Sequence, residues 1–68
     1  MTEIVFVVEE AQEGGLTARS VGASAFAEAD TMEELRQAVR DAVRCHFDPG
    51  QEPKVIRLHM VRDEVLTT

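Results

Sequence analysis

Apolar and polar positions along this chain fall into five blocks, separated by short polar, glycine- or proline-bearing stretches. Residues 3–9 (Glu-Ile-Val-Phe-Val-Val-Glu) are rich in β-branched and aromatic types and predict a strand. Ile4, Phe6 and Val8 fall on one side and Val5 and Val7 on the other, so both faces want cover and the strand belongs in the middle of a sheet. Gln12-Glu13-Gly14-Gly15 reads as a tight turn, because paired glycines supply the positive φ angles that hairpins require. A second strand is expected from Leu16 to Val21. Gly22-Ala23 is expected to turn the chain into a third strand over Ser24 to Glu28, whose small residues Ala25 and Ala27 suit helix as well as strand.

Asp30-Thr31-Met32-Glu33-Glu34 marks a helix start. Thr31 serves as N-cap and Glu34, three residues on, completes a capping box. Glu33 and Glu34 also occupy the first turn, where the helix dipole favours anions. The periodicity carries the helix to Cys45 or His46. At 100° per residue Met32, Leu35, Val39, Ala42, Val43 and His46 share a face, and Arg36, Arg40 and Arg44 form a stripe on another. Phe47-Asp48-Pro49-Gly50 ends it, since Pro cannot continue a helix and Gly suits the exit. Lys54 to Arg62 then alternates as a last strand, with Ile56, Leu58 and Met60 facing one way and Val55, Arg57, His59 and Val61 the other. The residues 63–68 read as a loose tail in which Val65 and Leu66 are apolar enough to pack.

The expected fold is therefore a single α+β domain, β-β-β-α-β. Two hairpins give a meander, the helix crosses one sheet face by a right-handed connection, and the last strand returns parallel to the first. The result is a four-stranded mixed sheet of order 3-2-1-4. One helix covers one face. The other face is open and carries Val5, Val7, Val55, Arg57, His59 and Val61. An uncovered face with that much apolar surface is a candidate oligomer interface. Length strengthens this point: 68 residues bury only a thin core, and small domains often add burial by self-association.

Charge and cysteine content narrow the classes. The formal net charge is −6, and residues 1–34 hold eight acids against one base, Arg19, while residues 35–68 hold five acids against six bases. An acidic surface disfavours direct nucleic-acid binding and favours solubility or a basic partner. The lone cysteine, Cys45, excludes an internal disulfide. With no signal-peptide pattern, it points to a reducing, cytoplasmic setting. No apolar run approaches the ~18–20 residues of a membrane helix.

No catalytic, cofactor-binding or metal-binding constellation is expected. Cys45 and His46 are adjacent on a helix and so diverge by about 100°. Cys45 is expected as a half-buried thiol, and His46 as a packed histidine on the apolar stripe. His46 and His59 lie on different elements, and no third ligand joins them. Gly14-Gly15 is a hairpin without a following helix, hence no phosphate loop. The arginine stripe reads as a solvated face with local ion pairs.

The stretch Glu13-Gly14-Gly15-Leu16-Thr17-Ala18-Arg19, followed at fixed spacing by Glu28-Ala29-Asp30-Thr31-Met32-Glu33-Glu34-Leu35, resembles the HicB-like antitoxin domain. That family reads acidic-Gly-Gly-aromatic-x-Ala and then Gly-Asp-Thr-Leu-Glu-Glu-Ala. The resemblance spans nearly the whole chain. It implies a trimmed ribonuclease-H-like β-β-β-α-β unit and a non-enzymatic protein-interaction role. Leu16 replaces the family's aromatic, and Gly22-Ala23-Ser24-Ala25 stands where Leu-Pro-Gly-Cys is common. The chain looks like a solitary HicB-type domain without the C-terminal DNA-binding part. Ribonuclease H chemistry needs a carboxylate in the middle of the first strand, and that place is Phe6. By the resemblance, Glu9, Glu10, Glu13, Glu28 and Asp30, at the hairpin end and helix start, are candidates for docking a small basic HicA-type toxin and occluding its RNA surface. The other expectation is a homo-oligomer, dimer or higher, built on the open sheet face.

Overall fold

The computed structural model describes residues 2–68. Strand β1 covers Glu3–Glu10, β2 Leu16–Ser20 and β3 Phe26–Ala29. Helix α1 covers Met32–His46, and β4 covers Val55–Met60. They form one four-stranded sheet of order β3-β2-β1-β4. β1 pairs antiparallel with β2 and parallel with β4, and β2 pairs antiparallel with β3. The β-β-β-α-β architecture and the strand order are as the hydrophobic pattern predicts. β1 is central because both of its parities are apolar.

The core lies between α1 and the inner sheet face. Ile4, Phe6 and Val8 of β1, Ala18 of β2 and Ala27 of β3 meet Leu35, Val39 and Val43 of the helix, and all are buried. Small residues on β2 and β3 are what let the helix sit close. Its contacts run mainly to β3, with fewer to β2. Burying a side chain such as Phe6 or Leu35 contributes about 1.5–3 kcal/mol by area removed from water. The β4 row on this side, Ile56 and Leu58, is only partly buried, because the helix lies toward the far edge of the sheet.

Local signals set the element ends. The Glu34 N–H donates to the Thr31 hydroxyl oxygen at 3.2 Å. The Thr31 hydroxyl in turn donates to the Glu34 carboxylate at 3.0 Å, so the reciprocal arm of the cap reaches the side chain of Thr31. At the other end Phe47 caps the helix, its N–H donating to the Val43 carbonyl.

The structure corrects the third strand. It begins at Phe26, not Ser24, and the connection before it is a five-residue loop, 21–25, in place of a two-residue turn at Gly22-Ala23. The cause is Ser20. Its hydroxyl donates to the Ala23 carbonyl at 2.8 Å and accepts the Ala25 N–H at 3.0 Å. A side chain thus satisfies the backbone groups a strand ladder would have used. Two further expectations fail at the helix end. Cys45 is exposed rather than half-buried, and His46 is exposed rather than packed in the core. Val43 is the last helical residue to reach the sheet, and half-buried Phe47 takes the next place, with the His46 ring edge-on to it at 4.9 Å.

Candidate functional site

The outer sheet face is uncovered. The register sets Phe26, Arg19, Val7 and His59 in one row, and Glu28, Thr17 and Glu9 in the next. Val5 stands beside Arg57, and Glu3 beside Val55. Val5 and Val7 are half-buried by their neighbours, whereas Val55, Arg57, His59 and Val61 are exposed. Phe26, at 56% exposure, is the largest apolar side chain offered to solvent on this face. The face is not purely apolar. Arg19 pairs with Glu9 at 3.6 Å, and Arg57 pairs with Glu3. Glu3 raises the Arg57 pKa above its ordinary value, first by the hydrogen bond and then by charge attraction. The expected oligomer residues therefore do lie on one face. Alternation along β4 and β1 made them legible, but Phe26 and Arg19 join them only through the observed β2–β3 register.

A second surface is an open cleft of about 570 Å³ between the first hairpin and the helix start. Gly14, Gly15 and Leu16 form one wall, and Glu28, Asp30 and Glu34 line the other. Gly15 can approach that closely because it has no side chain: a Cβ there would lie 3.2 Å from the Ala29 carbonyl oxygen. Only two of the five acids singled out by sequence, Glu28 and Asp30, line this cleft. Glu13 is exposed on the turn, and Glu9 is engaged by Arg19 on the sheet face. Glu9 and Glu10 border a different, smaller cleft with Val61, Arg62 and Asp63. Glu34, expected as the capping-box partner and a first-turn anion, also adds a third carboxylate to the lining of the larger cleft. The capping box leaves its acid at the surface, which is the signal that could have found it.

Among the described residues no three His, Cys, Asp or Glu side chains come together as metal ligands would. The centre of β1 is Phe6, fully buried, where a ribonuclease-H-like site would carry a carboxylate. No helix among the described residues is long and apolar enough to cross a membrane.

The helix stripe of Arg36, Arg40 and Arg44 is exposed. Arg44 pairs with Asp41 at 3.3 Å, while Arg36 and Arg40 have no ion-pair partner among the described residues. They stand over a small apolar cleft floored by Val39, Ile56 and Leu58.

Comparison with known proteins places these features in a family. The chain matches no protein-family model and no solved structure. It is 48% identical over 52 residues to a UPF0150 protein of Archaeoglobus fulgidus, covering 76% of this chain and 77% of that one. It is 43% identical over 61 residues to a UPF0150 protein of Thermotoga maritima, covering 90% of this chain and 86% of that one. Identity at this level over most of both chains means that the chain belongs to the UPF0150 family.

Proposed function

We propose that this protein is a non-enzymatic, HicB-like interaction module that works by occluding a basic surface of a partner protein. The observation that carries this reading is the cleft at the helix start, where Asp30 and Glu34 line one concavity with the glycine hairpin and Glu28 borders it from the outer sheet face, on a chain of net charge −6. Such a concave acidic rim suits a cationic patch on a small basic protein, of the kind that binds RNA, and would compete with phosphate for it. The buried phenylalanine at the centre of β1 supports a role without ribonuclease-H-like chemistry.

Affinity purification of the intact protein from its own cells tests the reading. A short basic partner should copurify, and its retention should fall with Glu28→Arg and Asp30→Arg. A partner held equally well by the double variant would remove the acidic cleft from the explanation. Recovery of the chain alone would count against a partner altogether.

A second reading, self-assembly through the open sheet face, is favoured by the exposure of Phe26 and Val55 beside half-buried Val5 and Val7. On that reading Phe26→Glu lowers the mass seen by light scattering, and a mass unchanged by the substitution counts against it.

A further inference from the structure

Residues 61–68 lie beyond β4, and Val61 is still bonded to the sheet, its N–H donating to the Val8 carbonyl. All eight are exposed, Val65 at 88% and Leu66 at 80%. The radius of gyration is 13.3 Å and the longest dimension 52 Å, against 19 and 17 Å for the others. A compact chain of this length would have a radius of roughly 11 Å. An eight-residue extended arm reaches about 26 Å, which accounts for half of the long axis. Two large apolar side chains at the tip of such an arm have no contact in their own fold to hold them.

The same molecule carries a place that fits this arm. β4 is an edge strand. The N–H groups of Val55 and Val61 donate inward, to Thr2 and Val8, so by strand alternation those of Ile56, Leu58 and Met60 point outward. No proline interrupts that edge, and its outward-pointing N–H groups belong to apolar residues, with Arg57 and His59 the only polar side chains on the strand. On the helix side it borders the cleft of about 180 Å³ floored by Val39, Ile56 and Leu58 and walled by Arg36 and Arg40. On the outer side it presents Arg57 and His59. The helix flank is thus cationic beside an apolar strip, whereas on the outer flank Arg57 is already paired with Glu3.

The arm is the complement. Residues two apart on a strand share a face, so Glu64 and Leu66 lie on one side and Asp63 and Val65 on the other. Each side offers one acid followed by one branched apolar residue. Either side therefore offers an acid of the sign to suit Arg36 and Arg40 and an apolar side chain of the kind to suit Ile56 and Leu58. The arm's own β4 is not its natural seat. Folding back would need a tight reversal at 61–64, and Val-Arg-Asp-Glu has no glycine to supply one.

We propose that the arm 61–68 of one copy adds as a fifth strand to the β4 edge of a second copy, reciprocally, making an arm-exchanged dimer. The exchange is isologous, so it closes at two copies. It also pairs acids with bases in a chain whose overall charge would otherwise oppose self-association.

Light scattering on the full chain at about 100 µM tests this. The expected mass is twice 7.5 kDa. Leu66→Asp and, separately, the pair Arg36→Glu with Arg40→Glu should each weaken the dimer by about tenfold or more, as for buried anchors elsewhere. All three residues are exposed in the single chain, so circular dichroism and the melting profile at monomeric concentration should stay unchanged. Adding Asp63→Lys and Glu64→Lys to the arginine double variant should restore the dimer. Phe26→Glu should leave it intact, which separates this interface from assembly through the open sheet face. A monomeric full chain, a dimer indifferent to Leu66→Asp, or a charge swap that restores nothing would each overturn the proposal.

Discussion

Gly14 and Gly15 are adjacent in one hairpin, yet they constrain it differently. Both have positive φ, +97° and +82°. A Cβ at Gly14 would meet nothing within 4 Å, whereas one at Gly15 would press on the Ala29 carbonyl. Gly14→Ala should therefore cost about 1 kcal/mol, from backbone strain alone. Gly15→Ala should cost more, about 2–3 kcal/mol, because β3 must shift as well. Urea denaturation of the two variants checks the order, and equal midpoints would count against the close approach. Ser20 makes the opposite point. The pair of glycines was legible as a turn, but nothing in the run Arg19-Ser20-Val21 marks Ser20 as the hub of the next loop. Its role depends on two backbone groups brought back to it, Ala23 and Ala25. Ser20→Ala should cost about 1–3 kcal/mol, since the buried Ala25 N–H would lose its acceptor, whereas removal of an exposed serine hydroxyl would change the midpoint hardly at all.

At the scale of elements, the helix was the most legible part. Thr31, the acids after it and the spacing of Leu35, Val39 and Val43 set its start and its buried face, because these signals act within one or two turns. Thr31→Ala should lower stability by about 1 kcal/mol, and Thr31→Ser should retain most of it. If Thr31→Ala leaves the thermal midpoint where it was, the cap is not what holds the first turn. The last turn was less legible. Periodicity put His46 on the apolar stripe, but a stripe is buried only where something lies beneath it. The helix runs over β3 and β2, and past Val43 the sheet no longer underlies it, so Cys45 and His46 are left at the surface. The third strand shows the same limit. Its length depends on where its partner β2 stops, which composition does not encode. The β-branched blocks of β1 and β4, by contrast, gave their faces, as period-two alternation is a local property, although β4 is shorter than the expected Lys54 to Arg62 and covers only Val55–Met60.

At the scale of the whole molecule, three surfaces make separable predictions. The acidic cleft predicts loss of a basic partner on Asp30→Arg, with the chain's own mass unchanged, since Glu28 also borders the open sheet face. The open sheet face predicts a mass sensitive to Phe26→Glu. The arm and the β4 edge predict a mass sensitive to Leu66→Asp and to the arginine pair. Light scattering and pull-down on one set of variants distinguish all three. The surfaces also differ in how far the sequence foretold them. The open face followed from counting one helix against one sheet. The acidic cleft was foreseen only in part: five acids near the hairpin and helix start suggested a cluster, but Arg19 draws Glu9 away on the sheet face, and Glu34 enters from the helix cap. The cleft beside β4 was not foreseen at all, since Arg36 and Arg40 read as a solvated stripe.

What the sequence by itself determined is what local physics can hold: the kinds and order of the five elements, the capped start of the helix, the central place of β1 and the apolar helix face that holds Leu35, Val39 and Val43. These follow from backbone preferences and from apolar periodicity, both of which act over a few residues. Only the tertiary structure decided the register that sets Phe26 beside Arg19 and Val7, and the division of the acids between two surfaces. It also decided the lateral seat of the helix, which leaves β4 half covered. Each of these depends on where one element stops against another. That is a matter of shape across the whole chain, chiefly of the small alanines that draw the helix toward β3 and away from the β4 edge.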